Sequence, residues 1–549
     1  MAGPDHCEVV REFFELFKTP WEFWRPDGRY QTVLCAGGAV APPSATGLIV
    51  TYGAESMTPG PGTKTPLEAP PVSSMLMYRG GRLPIYGRSV ALWDEDILGL
   101  IEETSGRAVA CVQKTDQQVR VRIGYDLFHE VRVLLTVGQP PAQAAHPTLE
   151  RHIDLLRDVI VEYAGPLVEI PPVPAGHPFI ACLTHDVDHA SLRRHKWDRT
   201  MFGFVYRATV GSILNVWRGR ASLGDLLTNW AAAARLPFVY AHLARDFWQE
   251  FDRYVDIEKG LVSTFFIIPF GGDPGSTDGG RAPAARAAGY GAGDVSGPLR
   301  RLAVAGREVG VHGIDAWRDG ARGLSERSAV AGAAGVNVGG VRMHWLYRDA
   351  QSPAALEEGG FDYDSTMGYN DTVGYRAGTT QAYKPLGARR LLELPLHVMD
   401  TALFYPRYLD LPREEARKRI GAIIDHAQRA GGAVTVNWHD RSIAPERLWG
   451  GAYVDLLGAL KGADPWFSTA GRAIAWFRQR RSAVVEEVRI ESGALRVRAC
   501  ATSGDCLPGL RLRVHPARAP LRYPAPAAST PRRYIDVGWS DHIDTRVVV

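Results

Sequence analysis

Short apolar runs recur through the middle of the chain and alternate with segments of helical periodicity. A helix is predicted after Pro412, and Gly431-Gly432 beyond it is the expected stop signal. Alternating strands and helices are typical of an α/β fold with a parallel sheet. The predicted strands are 179–183, 262–269, 308–311, 340–344, 361–364, 391–396 and 433–438.

The two flanks show different patterns. Residues 1–175 combine short strand patterns with an amphipathic helix at 149–163, which predicts an N-terminal mixed α/β accessory domain. A proline-rich linker at 170–176 leads into the alternating region, 176–481. From 482 to 549, alternating segments and a Ser-Gly turn predict a small C-terminal β-rich segment. A chain of 549 residues is too long for one core, which agrees with three domains.

Two insertions interrupt the alternating region. Residues 190–250 are rich in aromatic side chains and are predicted to be helical. Within them, 205–217 fits either a helix of the core or a helix that lies against lipid, and the core helix is favoured. Residues 271–297 are dense in Gly, Ala and Pro, which predicts a mobile loop.

The composition narrows the class of function. Hydrophobic residues make up 45% and charged residues 22%, which is ordinary for a soluble globular protein. The formal net charge of +3 gives no nucleic-acid footprint. Six scattered cysteines without a CxxC pair predict neither a disulfide framework nor a structural zinc ribbon. With no signal-peptide pattern and no transmembrane run, the expected location is cytoplasmic.

Polar residues gather where several predicted strands end. Leu183-Thr-His-Asp-Val-Asp-His189 contains two carboxylates and two imidazoles, which would be costly to bury unpaired. Later strand ends carry His312, Arg342 with His344, and His439. A closed parallel sheet would bring these ends to one mouth. Imidazole and carboxylate together suit zinc or another divalent first-row ion, with a further Asp and His as base and acid.

The order of these segments resembles the NodB-type polysaccharide deacetylases, which are similar to carbohydrate esterase family four, over about 179–480. Thr184-His-Asp-Val-Asp resembles their first motif, and 302–312 resembles the approach to the second. Arg342-Met-His-Trp stands in the place of the third motif, and Trp438-His439 in that of the last. The resemblance implies a distorted (β/α) barrel of seven or eight strands, a divalent metal (zinc foremost), and hydrolysis of acetyl groups on sugars.

The same resemblance implies a role for individual residues. Asp186 would be the general base that takes a proton from metal-bound water, and Arg342 would hold Asp186 ionised and oriented. Asp188 and His312 would bind the metal. His439 would be the general acid that protonates the leaving group.

The third metal ligand departs from the family pattern. The second motif usually has another His four residues after the first, but Ala316 stands at that position here. His344 is the favoured third ligand, and it stands where the third motif usually has Pro. Asp315 is the alternative, with His185 and His189 less favoured.

Further segments resemble a divergent branch of these enzymes associated with surface-polysaccharide biosynthesis. They include Gly340-Val-Arg-Met-His-Trp-Leu346, Gly374-Tyr-Arg-Ala-Gly-Thr379 and Leu394-Pro-Leu-His-Val-Met-Asp400. The resemblance implies substrate-binding roles for Arg376, Asp400 and Trp345, with Arg376 facing an anionic group. Structural salt bridges are the other interpretation of Arg376 and Asp400.

The predicted function is therefore metal-dependent deacetylation of an amino sugar or carbohydrate precursor, by a hydrolase of carbon–nitrogen bonds other than peptide bonds. Two alternatives remain open. One is an inactive barrel that binds carbohydrate or an assembly partner, which Ala316 suggests. The other is an amidohydrolase of small linear or cyclic amides. A narrow closed pocket would favour the amidohydrolase, and an open groove lined by Trp and Tyr would favour the sugar.

Overall fold

The computed structural model divides the chain into two compact units. Unit 1 comprises Met1–Gly176, Ala377–Thr379 and Trp476–Val549, and unit 2 comprises His177–Arg376 and Thr380–Ala475. The residues that the structure describes are 6–39, 47–53, 75–92, 98–115, 118–219, 221–248, 251–277, 279–491, 493–502, 504, 506–519 and 534–548. The three-domain organisation expected from the sequence stays a prediction.

The elements are numbered in chain order. The strands are β1 (Thr32–Cys35), β2 (Gly47–Tyr52), β3 (Met75–Tyr78), β4 (Gly81–Pro84), β5 (Leu100–Glu102), β6 (Ala110–Lys114), β7 (Gln118–Ile123), β8 (Leu167–Glu169), β9 (Ile180–Val187), β10 (Thr264–Ile267), β11 (Ser276–Thr277), β12 (Gly280–Arg281), β13 (Glu308–Gly313), β14 (Gly340–Met343), β15 (Tyr363–Asp364), β16 (Leu392–Glu393), β17 (Val398–Met399), β18 (Ala433–Asn437), β19 (Trp466–Ser468), β20 (Val484–Glu491), β21 (Ala494–Cys500), β22 (Leu510–His515), β23 (Ile535–Trp539) and β24 (His542–Val548). The α-helices are α1 (Cys7–Phe17), α2 (Leu127–Thr136), α3 (Thr148–Tyr163), α4 (Arg199–Tyr206), α5 (Ser212–Trp217), α6 (Leu223–Tyr240), α7 (Phe251–Ile257), α8 (Ser296–Val304), α9 (Gly320–Ala334), α10 (Ser352–Glu358), α11 (Asp400–Phe404), α12 (Arg413–Ala430), α13 (Gly450–Gly462) and α14 (Ala470–Ser482).

Unit 2 is built on a parallel sheet with the order β16-β15-β14-β13-β10-β9-β18-β17, and β19 pairs with the first residues of β9. All seven strands predicted for the alternating region are present in this sheet. Every residue of β9, β10, β14 and β18 is buried. Burial on both faces explains why these strands appear in the sequence as continuous apolar runs. The mixed α/β character and the parallel sheet are therefore confirmed.

Helices pack against this sheet, and their ends follow the sequence signals. Helix α12 begins after Pro412 and ends before Gly431, whose φ of +85° is readily adopted by glycine. Asp319 caps α9 by accepting hydrogen bonds from the backbone N–H groups of residues 321 and 322. Helices α8 and α9 contact β13, while α12 contacts β18.

The register of the sheet determines which side chains share a face. Asp186 lies opposite Phe266 on β10, and His312 lies opposite Arg342 on β14. Because side chains alternate along a strand, Thr184, Asp186 and the following Asp188 point to one face, whereas His185 points to the other. The sheet register therefore brings Asp186, His312 and Arg342 onto one face near the carboxyl ends of their strands.

Unit 1 contains four smaller sheets, of order β1-β2-β7-β6, β4-β3-β5, β23-β22-β8 and β20-β21-β24 among its described strands. The hairpin predicted after residue 482 is present as antiparallel β20 and β21, with Gly493 at φ +77° in the turn. The predicted helix at 149–163 is α3.

The first insertion contains helices α4, α5 and α6, as predicted, but both insertions differ in part from their predictions. Residues 271–297 were expected to form a mobile loop, but their described part contains the paired strands β11 and β12, two 3₁₀ turns and the fully buried Arg286. Residues 205–217 were expected to form a core helix, but Ile213 and Trp217 are exposed. In the parts of the chain that the structure describes, we find no helix with the length and apolar character needed to cross a bilayer.

Candidate metal and catalytic site

Three predicted ligands meet at neighbouring strand ends of unit 2. Asp188 follows β9, His312 lies in β13 and His344 follows β14. One ligand atom from each lies within 4.8 Å of the other two. The Nε2 atoms of His312 and His344 stand 3.3 and 3.6 Å from Asp188 Oδ1. This spacing is that of donors around a shared ion.

The hydrogen bonds of this cluster fit a metal. His312 Nδ1 lies 2.9 Å from the carbonyl oxygen of Arg342, which can only accept, so this nitrogen carries the proton. In the neutral ring, Nε2 then presents a lone pair to Asp188 Oδ1, and two such groups repel unless a cation lies between them. Asp188 Oδ1 is buried without a hydrogen-bond partner among the described residues. The donor set of one oxygen and two nitrogens suits zinc and related ions.

Asp186 lies beside the cluster with both carboxylate oxygens occupied. Its Oδ1 accepts from Arg342 Nη1 at 2.9 Å, and its Oδ2 accepts from Asn437 Nδ2 at 2.7 Å. Oδ2 also stands 3.9 Å from His312 Nε2. Burial opposes ionisation, but the Arg342 guanidinium together with His312 and His439 outweighs it, so the pKa of Asp186 is lowered. Asp186 is therefore ionised at neutral pH.

The Arg342 guanidinium is completely buried. Besides Asp186, it donates to Thr184 Oγ1 at 2.7 Å and to the carbonyl and hydroxyl oxygens of Ser365 at 3.0 and 2.9 Å. It also stacks on the Phe266 ring at 4.5 Å. These contacts leave the guanidinium one orientation, and it directs one nitrogen at Asp186.

His439 borders the cluster from the strand end after β18. Its Nε2 lies 3.8 Å from Asp188 Oδ2, and its Nδ1 lies 2.6 Å from Asp400 Oδ1. The other oxygen of Asp400 accepts from the backbone N–H of His439 at 2.7 Å. Burial disfavours the charged ring, but Asp400 together with Asp188 and Asp186 outweighs it, and the pKa of His439 is raised to about 10. His439 is therefore a proton donor at neutral pH.

The segment after His344 has an uncommon backbone. Trp345 and Leu346 both have positive φ, +64° and +55°, a region that costs energy for residues other than glycine. The buried Arg286 stabilises this turn by donating to the carbonyl oxygen of His344 at 2.8 Å and to that of Ile314 at 2.9 Å. The turn leaves the Trp345 ring 38% exposed beside His344.

Other candidate ligands lie outside the cluster. Asp315 accepts from the backbone N–H of Ser276 at 2.8 Å. His185 is on the opposite face of β9, where Glu258 and the Trp438 carbonyl engage its two nitrogens at 2.7 and 2.8 Å. His189 is 3.1 Å from His195.

Two predicted substrate-binding residues have other contacts. Asp400 is fully buried beneath His439, where it contacts the ring and cannot face solvent. Arg376 donates to the Gly368 carbonyl at 2.6 Å and packs over Tyr369.

Two residues of this site were not singled out from the sequence. Asn437 orients Asp186 by donating a hydrogen bond to it. The signal in the sequence that could have found it is that Thr435 and Asn437 are polar positions two residues apart in the buried strand β18. Asp440 lies one residue after His439, and its Oδ2 accepts from the His189 backbone N–H at 3.3 Å. Burial, followed by the charge of Asp188, raises the pKa of Asp440 to about 7.

Comparison with known proteins gives matches only among solved structures, because no family model and no curated protein matches the chain. A protein described as a polysaccharide deacetylase from Mycobacterium smegmatis shares 21% identity, covering 56% of this chain and 95% of that one at a TM-score of 0.36. A family 4 acetyl xylan esterase from Clostridium thermocellum, in complex with a cobalt ion, shares 14%, covering 54% and 91% at 0.23. Puue allantoinase shares 15%, covering 56% and 92% at 0.33.

Proteins described as polysaccharide deacetylases and family 4 carbohydrate esterases are among the matched structures, and so is an allantoinase. These matches extend over slightly more than half of this chain and nearly all of each matched one.

Proposed function

We propose that unit 2 is a distorted barrel that catalyses metal-dependent removal of an acetyl group from an amino sugar or related carbohydrate precursor. The observation that supports this most directly is the Asp188, His312 and His344 cluster, whose ligand atoms lie within 4.8 Å. It is bordered by an ionised carboxylate, Asp186, and a protonated imidazole, His439. Hydrolysis of an amide is accelerated by a base that takes a proton from the attacking water and by an acid that protonates the leaving nitrogen.

Asp188, His312 and His344 would hold the ion, with zinc as the first candidate. A divalent ion bound there supplies Lewis-acid chemistry towards the acyl oxygen and the attacking water. Asp186 accepts the proton of that water on its Oδ2, the oxygen nearer His312. Before that transfer, Arg342 and Asn437 keep the carboxylate ionised, and their hydrogen bonds fix its orientation.

His439 donates its Nε2 proton to the leaving nitrogen as the carbon–nitrogen bond breaks, which yields acetate and a free amine. Asp400 holds the ring by Nδ1, so that Nε2 faces Asp188. The ring is charged before the reaction and neutral after it. The negative charge of Asp400 also stabilises the charged form of the ring, which carries the proton. Asp400 is thus a positioning residue that does not contact the substrate directly.

Trp345 is the candidate substrate contact. Its partly exposed ring adjoins His344 and offers a flat apolar surface of the kind on which the C–H face of a sugar ring packs. A cytoplasmic step of surface-polysaccharide biosynthesis remains the proposed setting, and finding the native protein outside the cytoplasm would contradict it.

Metal content measured by mass spectrometry tests the proposal. We expect about one divalent ion per chain in the wild type, loss of that ion in Asp188→Ala and His344→Ala, and retention in Asp315→Ala, the matched control. Acetate release from N-acetylated sugars should follow metal content in the same four proteins. Retention in His344→Ala would remove this residue from the ligand set. A wild type that takes up no metal would favour the carbohydrate-binding alternative.

A further inference from the structure

The helical insertion of unit 2 forms a hairpin, which we define as residues 197–243. Its first arm runs without a break from α4 through a π-helical turn at Arg207–Gly211 into α5, and its second arm is α6. Ser222 and Asp225 form a capping box at the start of α6. The two arms contact each other, so the hairpin is a defined element of the fold.

One face of each arm is buried. Met201, Phe204 and Ala208 of the first arm join Ala232 and Leu236 of the second in a small apolar core. These positions recur at the three- and four-residue spacing of a single helix face. The inner faces of both helices therefore supply the apolar packing within the hairpin.

The opposite face of the first arm is also apolar, but it is exposed. Its residues are Phe202, Tyr206, Val210, Ile213 and Trp217, spaced four, four, three and four residues apart. Their exposed fractions range from 47% for Val210 to 81% for Trp217. The same spacing places Leu223, Leu227, Trp230 and Phe238 on the outer face of α6, and all four are exposed.

Exposed apolar side chains are concentrated in the hairpin. Of the 24 large hydrophobic side chains exposed in the described part of the chain, 11 lie in residues 197–243. Scattered exposed apolar residues need no explanation, but an ordered stripe on two adjacent helices indicates a surface that contacts something apolar.

The charge of the segment indicates what that partner is. Residues 193–245 carry nine Lys or Arg and two Asp, although the whole chain has a net charge of only +3. Arg199, Arg218 and Arg235 are exposed on the two arms, whereas both acidic residues cap helices. An apolar stripe containing Trp and Phe with basic residues around it is the pattern of helices that lie in the interface of an anionic bilayer.

We propose that the hairpin binds the surface of an anionic membrane, with its outer stripe inserted at the level of the lipid headgroups. The buried inner face keeps the other side of each helix on the protein, so the hairpin lies along the bilayer. This proposal does not depend on the hydrolase activity.

The hairpin begins beside the candidate active site. His189, next to the proposed ligand Asp188, contacts His195, and His195 Nδ1 lies 2.8 Å from Asp198 Oδ2. Asp198 caps α4 through the backbone N–H of Met201. Membrane binding would therefore place this end of the sheet close to the bilayer.

Vesicle flotation of the full chain tests the proposal. The probes are vesicles of phosphatidylcholine alone and vesicles with added phosphatidylglycerol. We expect binding to the anionic vesicles that falls as salt is raised. Replacing Phe202, Trp217, Leu227 and Trp230 together by Ser should lower the partition coefficient at least about a hundredfold. The exposure of all four side chains means that the fold should tolerate the change.

Two further proteins complete the experiment. Val304→Ser/Leu324→Ser removes exposed apolar side chains from α8 and α9 and should bind like the wild type. Replacing Arg199, Arg218 and Arg235 by Gln should weaken binding to anionic vesicles about a hundredfold, since each basic residue near the surface contributes about 1 kcal/mol.

Three results would overturn the proposal. Equal flotation of the wild type and the Ser variant would show that the stripe is not inserted. Binding lost in Val304→Ser/Leu324→Ser would show that general surface hydrophobicity causes the flotation. A dimer that dissociates only in the Ser variant, without vesicle binding by the wild type, would assign the stripe to a second copy of the chain.

Discussion

Replacing Arg342 by Met tests whether the buried guanidinium is the charge partner of Asp186. Met has a similar length and no charge, so it fills the space against Phe266 and removes four hydrogen bonds. Asp186 keeps only the Asn437 amide as a side-chain donor, in surroundings that leave it 2% exposed.

The expected loss can be worked from these contacts. At 2.9 Å and an effective dielectric constant of about 20, the attraction between the two charges is about 6 kcal/mol. Part of this lost attraction is offset, because folding of the variant no longer has to desolvate a guanidinium. Breaking one partner of a buried pair typically costs about 3–5 kcal/mol, and we expect Arg342→Met to lie in that range.

The assay must report on unit 2 alone. Labelling of Cys182, quantified by peptide mass spectrometry apart from the five cysteines of unit 1, provides that readout. Cys182 is fully buried in β9, four residues before Asp186, so thiol labelling as a function of urea follows the unfolding of this sheet. The measurements use chelator-treated protein, which leaves protein contacts as the only variable. The double variant Arg342→Met/Asp186→Asn should be less destabilised than the sum of the two single variants, by about 2–3 kcal/mol.

The pH dependence gives a second test. Removing the guanidinium removes the largest contribution that lowers the folded-state pKa of Asp186, so that pKa rises in the variant. As pH falls through this raised pKa, Asp186 of the variant takes up a proton and the cost of its unpaired charge disappears. The deficit of Arg342→Met should therefore shrink between pH 7 and pH 4. Additive single variants, or a deficit that is constant with pH, would refute the buried charge pair.

Three further predictions concern other parts of the chain. Asp400→Asn should lower the kcat of deacetylation about 10²–10⁴-fold. The basic limb of the pH profile of kcat should also move down from near 10, because the pKa of His439 falls when the carboxylate of Asp400 is removed. An unmoved limb would exclude His439 as the acid. Burial lowers the pKa of His152 to about 3. The free energy of unfolding should therefore fall by about 1.4 kcal/mol per pH unit as pH drops from 6.5 towards 3. Acid titrations followed by circular dichroism should show this slope for the wild type and not for His152→Leu. Leu183→Ala, at a fully buried position of β9, should cost about 2–5 kcal/mol in the Cys182 assay, whereas Val304→Ala, 90% exposed, should change it by less than about 0.5 kcal/mol.

The strands that carry the site could be predicted because their signal is local. An apolar run that ends in charged residues marks a buried strand and its carboxyl end, and β9, β13, β14 and β18 all show that pattern. Strands β17 and β19, of two and three residues, were not predicted. Strands this short show no period of their own, and β15 and β16, which are equally short, were found only because longer apolar runs contain them.

The partners of the site residues could not be predicted in the same way. Asn437 and Ser365 act on Asp186 and Arg342 through contacts with residues distant in sequence, and nothing local distinguishes them from ordinary polar residues. Arg286 lies in a segment whose composition predicts a loop, yet three backbone carbonyls hold its guanidinium in the interior. The identity of Asp400 as the partner of His439 required the register of β17 against β18.

The sequence by itself determined the α/β class, the order of the central strands and the residue types at their carboxyl ends, because each depends on the periodicity and termination of single elements. Only the tertiary structure decided which of those ends meet, so that Asp188, His312 and His344 form a cluster and Asp315 does not. The same limit applies to the hairpin. Apolar periodicity shows that a helix face avoids water, but only packing shows that the protein itself covers one face and leaves the other exposed.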